Sequence, residues 1–145
     1  MKYLLSILLM LSASVGATSL TLGLSTNHFG ENNYNNDNDL VMLEHSGLFV
    51  TTFMNSYNRR SVAAGYKLER GTILKYGAYV GVSSGYCFAE TVLYHLDRLT
   101  DYNTSTCEDI GFPVVAPFVS VGSGNIDLSI TVFGQAVITG ITLGV

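Results

Sequence analysis

The chain has 145 residues, of which 48% are hydrophobic and only 12% are charged, and its net charge is −4. This length supports a single domain, and a negative chain without a basic stripe argues against a nucleic-acid partner. The apolar residues mostly occur in short alternating runs, which argues against a protein that crosses a membrane with helices.

The N-terminal stretch has the pattern of an export signal. Lys2 supplies a positive end, residues 4–11 supply an apolar segment, and small residues precede a cleavage point after Ala17. The apolar segment is shorter than the roughly 20 residues that a membrane-spanning helix needs. We therefore expect residues 1–17 to be removed and residues 18–145 to form one exported domain.

The exported part alternates polar and apolar side chains with a period of two, which predicts β-strands. In residues 61–69 the even-numbered side chains are apolar, while the opposite face carries small or polar residues, among them Ala63 and Lys67. An apolar outer face and a polar inner face are typical of a barrel wall in a membrane. Segments of this kind are predicted at residues 19–25, 40–45, 48–54, 61–69, 74–83, 112–122, 126–133 and 135–145.

The connections between these segments alternate in length. The short ones are residues 46–47, 70–71, 123–125 and also 133–135, and the longer ones are residues 25–39, 55–60 and 86–111. An even number of strands with this alternation predicts an all-β fold, an eight-stranded antiparallel up-and-down transmembrane β-barrel in a Gram-negative outer membrane. Its interior would hold side chains or one slim ligand. The alternative is a secreted β-sandwich or lipocalin-like barrel, whose outer face should carry more charge.

The alternation is interrupted by an insert at residues 86–111, whose first half has apolar residues at helical spacing and predicts a short amphipathic helix. Cys87 and Cys107 bracket this insert, and an exported chain favours a disulfide between them over free thiols. Pro113 and Pro117 follow in the sixth strand. Because proline has no N–H, they predict an interruption or an edge of the ladder.

Two lysines, Lys67 and Lys75, lie on predicted inner faces, where an unpaired charge is costly. We expect them to form ion pairs inside the lumen with Glu44, Glu69 or Asp127. The chain has three histidines, and they are scattered, so no zinc site is expected. No cofactor is expected either.

A histidine and a serine are brought together by the predicted topology, because the loops after the first and third strands lie on the same rim. His28 begins the first loop, and Asn55 and Ser56 begin the second. A histidine beside a serine can activate it as a nucleophile, and an amide can orient the imidazole. The three are candidate catalytic residues; the alternative is that they are solvated loop residues without a role.

Three segments carry a family resemblance. His28 with Tyr-Asn at residues 34–35 is similar to a His followed by Tyr-Asn-Glu in the family. FMNSYN at residues 53–58, with Ala-Gly-Tyr at residues 64–66, is similar to FKDSWN followed by Gly-Tyr. FPVVAPFVSVGSG at residues 112–124 is similar to IPVLLPLASVGYG in the same register. Over most of its exported part, the chain resembles the lipid A palmitoyltransferase family, PagP.

The resemblance implies an outer-membrane acyltransferase that moves a palmitoyl chain from a phospholipid to lipid A, with the acyl chain inserted into the barrel. Phospholipid and lipid A (lipopolysaccharide) would be its partners. By the same resemblance, His28 is the general base or acid, Ser56 is the nucleophile or a polarising hydroxyl, and Asn55 orients one of them.

The chain also departs from the family. Asn55 stands at the family's aspartate, and an amide cannot stabilise an imidazolium by charge. Lys67 stands at the position of the family's glycine that sets acyl length, which predicts that the floor of an acyl pocket would be charged and the pocket shallower. The insert at residues 86–111 has no counterpart in the family. Two alternatives stay open. One is a catalytically inactive barrel whose loops act as a surface binding or exclusion protein, and the other is a lipid A deacylase or lipase that uses Ser56 and His28.

Overall fold

A computed structural model of the chain describes residues 18–29, 35–87, 109–123 and 125–144. Its strands are β1 (Thr18–His28), β2 (Val41–His45), β3 (Leu48–Met54), β4 (Arg60–Arg70), β5 (Leu74–Cys87), β6 (Asp109–Ser123), β7 (Ile126–Phe133) and β8 (Ala136–Gly144). Within these ranges there is no helix long and apolar enough to cross a membrane. The predicted export signal, the cysteine at position 107 and the helix in the insert lie outside the described residues.

The eight strands form a closed barrel, because each strand pairs antiparallel with the next and β8 pairs with β1. The predicted all-β, eight-stranded antiparallel up-and-down barrel is confirmed, and closure excludes a sandwich of two sheets. β3 and β7 have the predicted bounds, whereas β1, β5 and β6 run further toward one end. We call that end, which carries the connections after β1, β3, β5 and β7, the loop rim, and the opposite end the turn rim.

The outer face of the barrel is apolar, as the alternation predicts. Val62 and Val82 are 47% and 62% exposed, whereas their inward neighbours Ala63 and Ser83 are buried. The other large apolar side chains exposed on β3 to β7 are Leu48, Val50, Tyr66, Leu68, Leu74, Tyr76, Val80, Val115, Val119, Val121, Ile126, Leu128, Ile130 and Val132. An exposed apolar surface of this extent marks a contact with a membrane or a partner.

Ion pairs fill the lumen near the turn rim, which confirms the prediction for both lysines. Lys67 Nζ lies 3.2 Å from a carboxylate oxygen of Glu44 and 2.7 Å from one of Glu69. Lys75 Nζ lies 2.5 Å from Asp127 Oδ2. Each of these partly buried charges therefore has an opposite charge in contact, which offsets the cost of removing it from water.

An aromatic layer covers these ion pairs on the side of the loop rim. Phe49 packs edge-on against Tyr79 with 5.2 Å between ring centroids, and Tyr79 lies 4.9 Å from Phe118. Lys67 Nζ lies 5.2 Å from the centroid of the Phe118 ring. The predicted charged floor is therefore wrong, because aromatic rings, not Lys67, close the lumen above the ion pairs.

Above the aromatic layer lies an apolar cavity of about 60 Å³. The residues that line it are Thr21, Leu40, Met42, Phe49, Thr51, Phe53, Ala63, Tyr79, Val114, Ala116, Ser129, Thr131, Phe133, Ile138 and Gly140. It is smaller than the roughly 150 Å³ of an engineered cavity that holds benzene. Unless inner side chains move, the cavity therefore has room for only a short apolar segment.

The wall has two places where neighbouring strands separate before the loop rim. The β6–β7 ladder extends only to the pair Phe118–Thr131, and the next residue of β6 is Pro117, which has no N–H to donate. The predicted interruption at this proline is confirmed. The β1–β2 pairing likewise ends before the loop rim, because β2 begins at Val41 and the pair Leu22–Val41 is followed by a single backbone hydrogen bond from the N–H of Gly23 to the carbonyl of Leu40 (2.9 Å) among the described residues.

Candidate functional site

A β-bulge in β1 directs His28 into the barrel mouth. The register with β8 shifts between Gly23 and Ser25, so that Leu24 is an extra residue. Ser25 is therefore exposed, although it alternates with Leu22 and Leu24 in the sequence, because a bulge inverts the alternation of side chains. Beyond it, Thr26 is buried and His28 is half-buried. A regular strand would have directed His28 outward.

The imidazole of His28 lies between Ser56 and Asn36. Its Nε2 is 2.7 Å from Ser56 Oγ, and its Nδ1 is 2.9 Å from Asn36 Oδ1. Because an amide oxygen only accepts, Nδ1 donates to it, and in the neutral ring Nε2 then accepts a hydrogen bond from the Ser56 hydroxyl. In this tautomer the ring can take the proton of Ser56. The topology thus brings His28 and Ser56 together as predicted, while their catalytic roles stay predictions.

Asn55 stabilises the β3–β4 loop through both the nitrogen and the oxygen of its side-chain amide. It is only 2% exposed, and its Nδ2 donates to Ser61 Oγ (3.1 Å) and to the carbonyl of Gly85 (2.8 Å). Its Oδ1 accepts from the backbone N–H groups of Tyr57 and Arg59, both at 3.0 Å. This is the local turn that asparagine favours. The amide of Asn55 is therefore directed into the β3–β4 loop, and none of these four hydrogen bonds is with His28.

Two backbone hydrogen bonds hold residues 35–38, which precede β2, against the β3–β4 loop. The N–H of Asn35 donates to the carbonyl of Ser56 (3.2 Å), and the N–H of Met54 donates to the carbonyl of Asn38 (2.6 Å). These contacts hold Asn36 beside the imidazole. Sequence reasoning missed Asn36 because it is one of several asparagines in a polar loop, where no periodicity distinguishes one from another.

The pocket that contains His28 and Ser56 lies directly above the apolar cavity. Phe53, Phe133 and Ile138 line both spaces. The rings of Phe53 and Phe133 pack edge-to-face with 5.6 Å between their centroids. An apolar chain that occupied the cavity would therefore pass these rings to reach the serine hydroxyl.

Two polar atoms that belong to residues of the same pocket, Thr26 Oγ1 and Asn38 Oδ1, are buried and have no hydrogen-bond partner in the part of the chain that the structure describes. A buried polar atom without a partner typically costs about 1–3 kcal/mol. Neither residue was identified from the sequence. Thr26 was missed because its inward direction depends on the bulge.

No protein-family model and no curated protein matches this chain. Among residues 18–29, 35–87, 109–123 and 125–144, there is no group of three or more histidine, cysteine, aspartate or glutamate side chains that could hold a metal ion. The chemistry that the described site offers is proton transfer from a serine hydroxyl to an imidazole beside an apolar cavity. That chemistry suits attack on an ester with an apolar acyl group.

Proposed function

We propose that the protein is a PagP-like outer-membrane acyltransferase, which moves a fatty acyl chain from a phospholipid to lipid A. The observation that carries this proposal is the 2.7 Å contact between His28 Nε2 and Ser56 Oγ at the mouth of an apolar cavity. The eight-stranded barrel is compatible with this family, and the three segments that resemble the family include both residues.

The proposed reaction begins when Ser56 Oγ attacks the carbonyl carbon of the phospholipid ester while its proton moves to His28 Nε2. The ester C–O bond then breaks, the acyl group stays on Ser56, and the lysophospholipid leaves with the proton from His28. A lipid A hydroxyl next gives its proton to His28 and attacks the acyl-serine. The protonated His28 returns the proton to Ser56 as the acylated lipid A departs.

Two features of the wall support placement in a membrane. The outer face is apolar, while the charged side chains Lys67 and Lys75 are directed into the lumen and paired there, an arrangement typical of outer-membrane barrels. The gap beside Pro117 lies at the level of the cavity and would let an acyl chain enter between β6 and β7 from the lipid phase.

A gain-of-mass experiment tests the proposal. The full chain is expressed in a Gram-negative host that lacks its own transferase, and the extracted lipid A is analysed by mass spectrometry. We expect lipid A to gain the mass of one acyl chain, and we expect Ser56→Ala and His28→Ala to abolish the gain. His45→Ala is the matched control, because His45 lies at the turn rim and bonds Thr18 (3.1 Å).

Two other results would replace the proposal. Lipid A that loses the mass of one acyl chain would indicate a deacylase, in which water takes the place of the acceptor hydroxyl. Unchanged lipid A from an exported, folded barrel would indicate an inactive barrel that presents its loops for binding. The small volume of the cavity, about 60 Å³, is the observation that favours this second candidate.

A further inference from the structure

Thr26 carries a buried hydroxyl that the fold itself does not use. The residue is 5% exposed, and its Oγ1 has no hydrogen-bond partner among the described residues. Other buried threonines of the barrel do have partners. Thr51 Oγ1 donates to the carbonyl of Val41 (3.1 Å), and Thr21 Oγ1 pairs with Thr142 Oγ1 (2.7 Å).

The position of Thr26 in the barrel suggests what its hydroxyl binds. Thr26 lies two residues before His28 on the same inner face, so their β-carbons are separated by about 6–7 Å along the strand. It pairs in register with Ile138, which lines both the polar pocket and the apolar cavity. Thr26 therefore lies closer to the apolar cavity than His28 does. An acyl ester that extended from the cavity to Ser56 would place its carbonyl group near Thr26.

We propose that the Thr26 hydroxyl donates a hydrogen bond to the carbonyl oxygen of the acyl ester and to the oxyanion formed from it. This assignment rests on the proposed acyltransferase function. When Ser56 Oγ forms its bond to the carbonyl carbon, the π electrons of the carbonyl move to its oxygen. The Ser56 proton goes to His28 Nε2, and Thr26 Oγ1–H faces the negative oxygen without itself losing a proton.

A preorganised donor of this kind stabilises the transition state more than the ground state, because the charge on the oxygen grows during the attack. An unpaired hydroxyl in the free protein is the expected cost of that preorganisation. Asn38 Oδ1, an acceptor that belongs to a residue of the same pocket, likewise has no hydrogen-bond partner among the described residues. The hydroxyl of Thr26 is therefore available to a ligand.

The stability of two threonine variants tests whether the hydroxyl is structural. Thr26→Val keeps the shape of the side chain and removes only the hydroxyl. We expect its unfolding temperature in detergent to equal or exceed that of the wild type, because no hydrogen bond to the protein is lost. Thr51→Val is the matched control and should unfold at a lower temperature. A similar decrease for Thr26→Val would overturn the inference, since the hydroxyl would then serve the fold.

Phosphonylation of Ser56 tests the proposed interaction independently of the natural lipids. A fluorophosphonate with an ethyl chain, which suits the small cavity, reacts when Ser56 Oγ attacks phosphorus, fluoride leaves and His28 takes the proton. The P=O oxygen then occupies the position of the carbonyl oxygen. We expect intact-mass measurements to show one label on the wild type and none on Ser56→Ala. Thr26→Val should react about 10²–10³ times more slowly, as expected for loss of one oxyanion donor, and Thr26→Ser should recover most of the rate.

The outcomes separate the two proposals. If the wild type is labelled and Thr26→Val reacts equally fast, the role of Thr26 is wrong while the nucleophilic serine stands. If the wild type is not labelled at Ser56, the proposed function fails and the role of Thr26 fails with it.

Discussion

Asn36 Oδ1 lies 2.9 Å from His28 Nδ1, on the edge of the ring opposite Ser56. The family resemblance assigns the orienting role to Asn55, whose amide is instead used inside the β3–β4 loop. In the structure Asn36 makes the contact with the imidazole, whereas Asn55 holds the loop that carries Ser56. Variants of the two asparagines should therefore have different effects.

Asn36→Ala removes the acceptor that favours a proton on His28 Nδ1. We expect acyl transfer to slow by about 10- to 10⁴-fold, where the upper value is the loss seen when a triad loses the correct tautomer. Asn36→Asp should be faster than the wild type, because a carboxylate stabilises the imidazolium by charge. The rate of lipid A acylation in detergent measures both effects. Asn125→Ala, in a turn at the opposite rim, is the control, and equal rates for Asn36→Ala and the wild type would contradict the assignment.

Asn55→Ala should act mainly on stability. The change removes four hydrogen bonds, to the backbone N–H groups of Tyr57 and Arg59, the carbonyl of Gly85 and the hydroxyl of Ser61, so the free energy of unfolding should fall by about 2–4 kcal/mol. Asn55→Asp should also destabilise the barrel, because a buried carboxylate would face the carbonyl of Gly85 and could no longer donate. Urea unfolding in detergent measures these differences. Since Asn36 is exposed, Asn36→Ala should stay within about 0.5 kcal/mol of the wild type; the reverse order would refute this division of roles.

The sequence was sufficient to predict the barrel because the alternation of β4 and β7 is uninterrupted. One face of each strand is apolar and the other is small or polar, and that pattern decides which face is directed outward. The inward lysines could be assigned to acidic partners for the same reason, since a buried charge needs an opposite charge.

The candidate site was only partly predictable, because irregular backbone determines it. The topology was enough to bring His28 and Ser56 to one rim. The bulge at Leu24, which directs Thr26 inward, has no signal in the alternation that precedes it. Asn36 is fixed by hydrogen bonds between two loops, and loop geometry of this kind depends on contacts that are distant in sequence.

The ion pairs at the turn rim lead to a stability prediction. Lys67→Met would leave Glu44 and Glu69 in the lumen without their ammonium group, and because these charges are only partly buried, the free energy of unfolding should fall by about 1–3 kcal/mol. A triple variant that adds Glu44→Gln and Glu69→Gln removes the unpaired charges and should recover most of that loss. Unfolding in urea measures both variants. If Lys67→Met were as stable as the wild type, the ion pairs of Lys67 would not contribute to the free energy of unfolding.

The aromatic floor leads to a prediction about acyl length. Phe49 and Tyr79 close the cavity at about 60 Å³, so the wild type should prefer donor phospholipids with acyl chains shorter than palmitoyl. Phe49→Leu lowers the floor without the larger packing loss of an alanine, and it should shift the preference toward longer chains. Tyr79→Phe keeps the ring in place and should leave the preference unchanged. Competition between phospholipids of different chain length, read from the mass of the acylated lipid A, measures the shift, and an identical preference in Phe49→Leu would show that the floor does not limit the acyl chain.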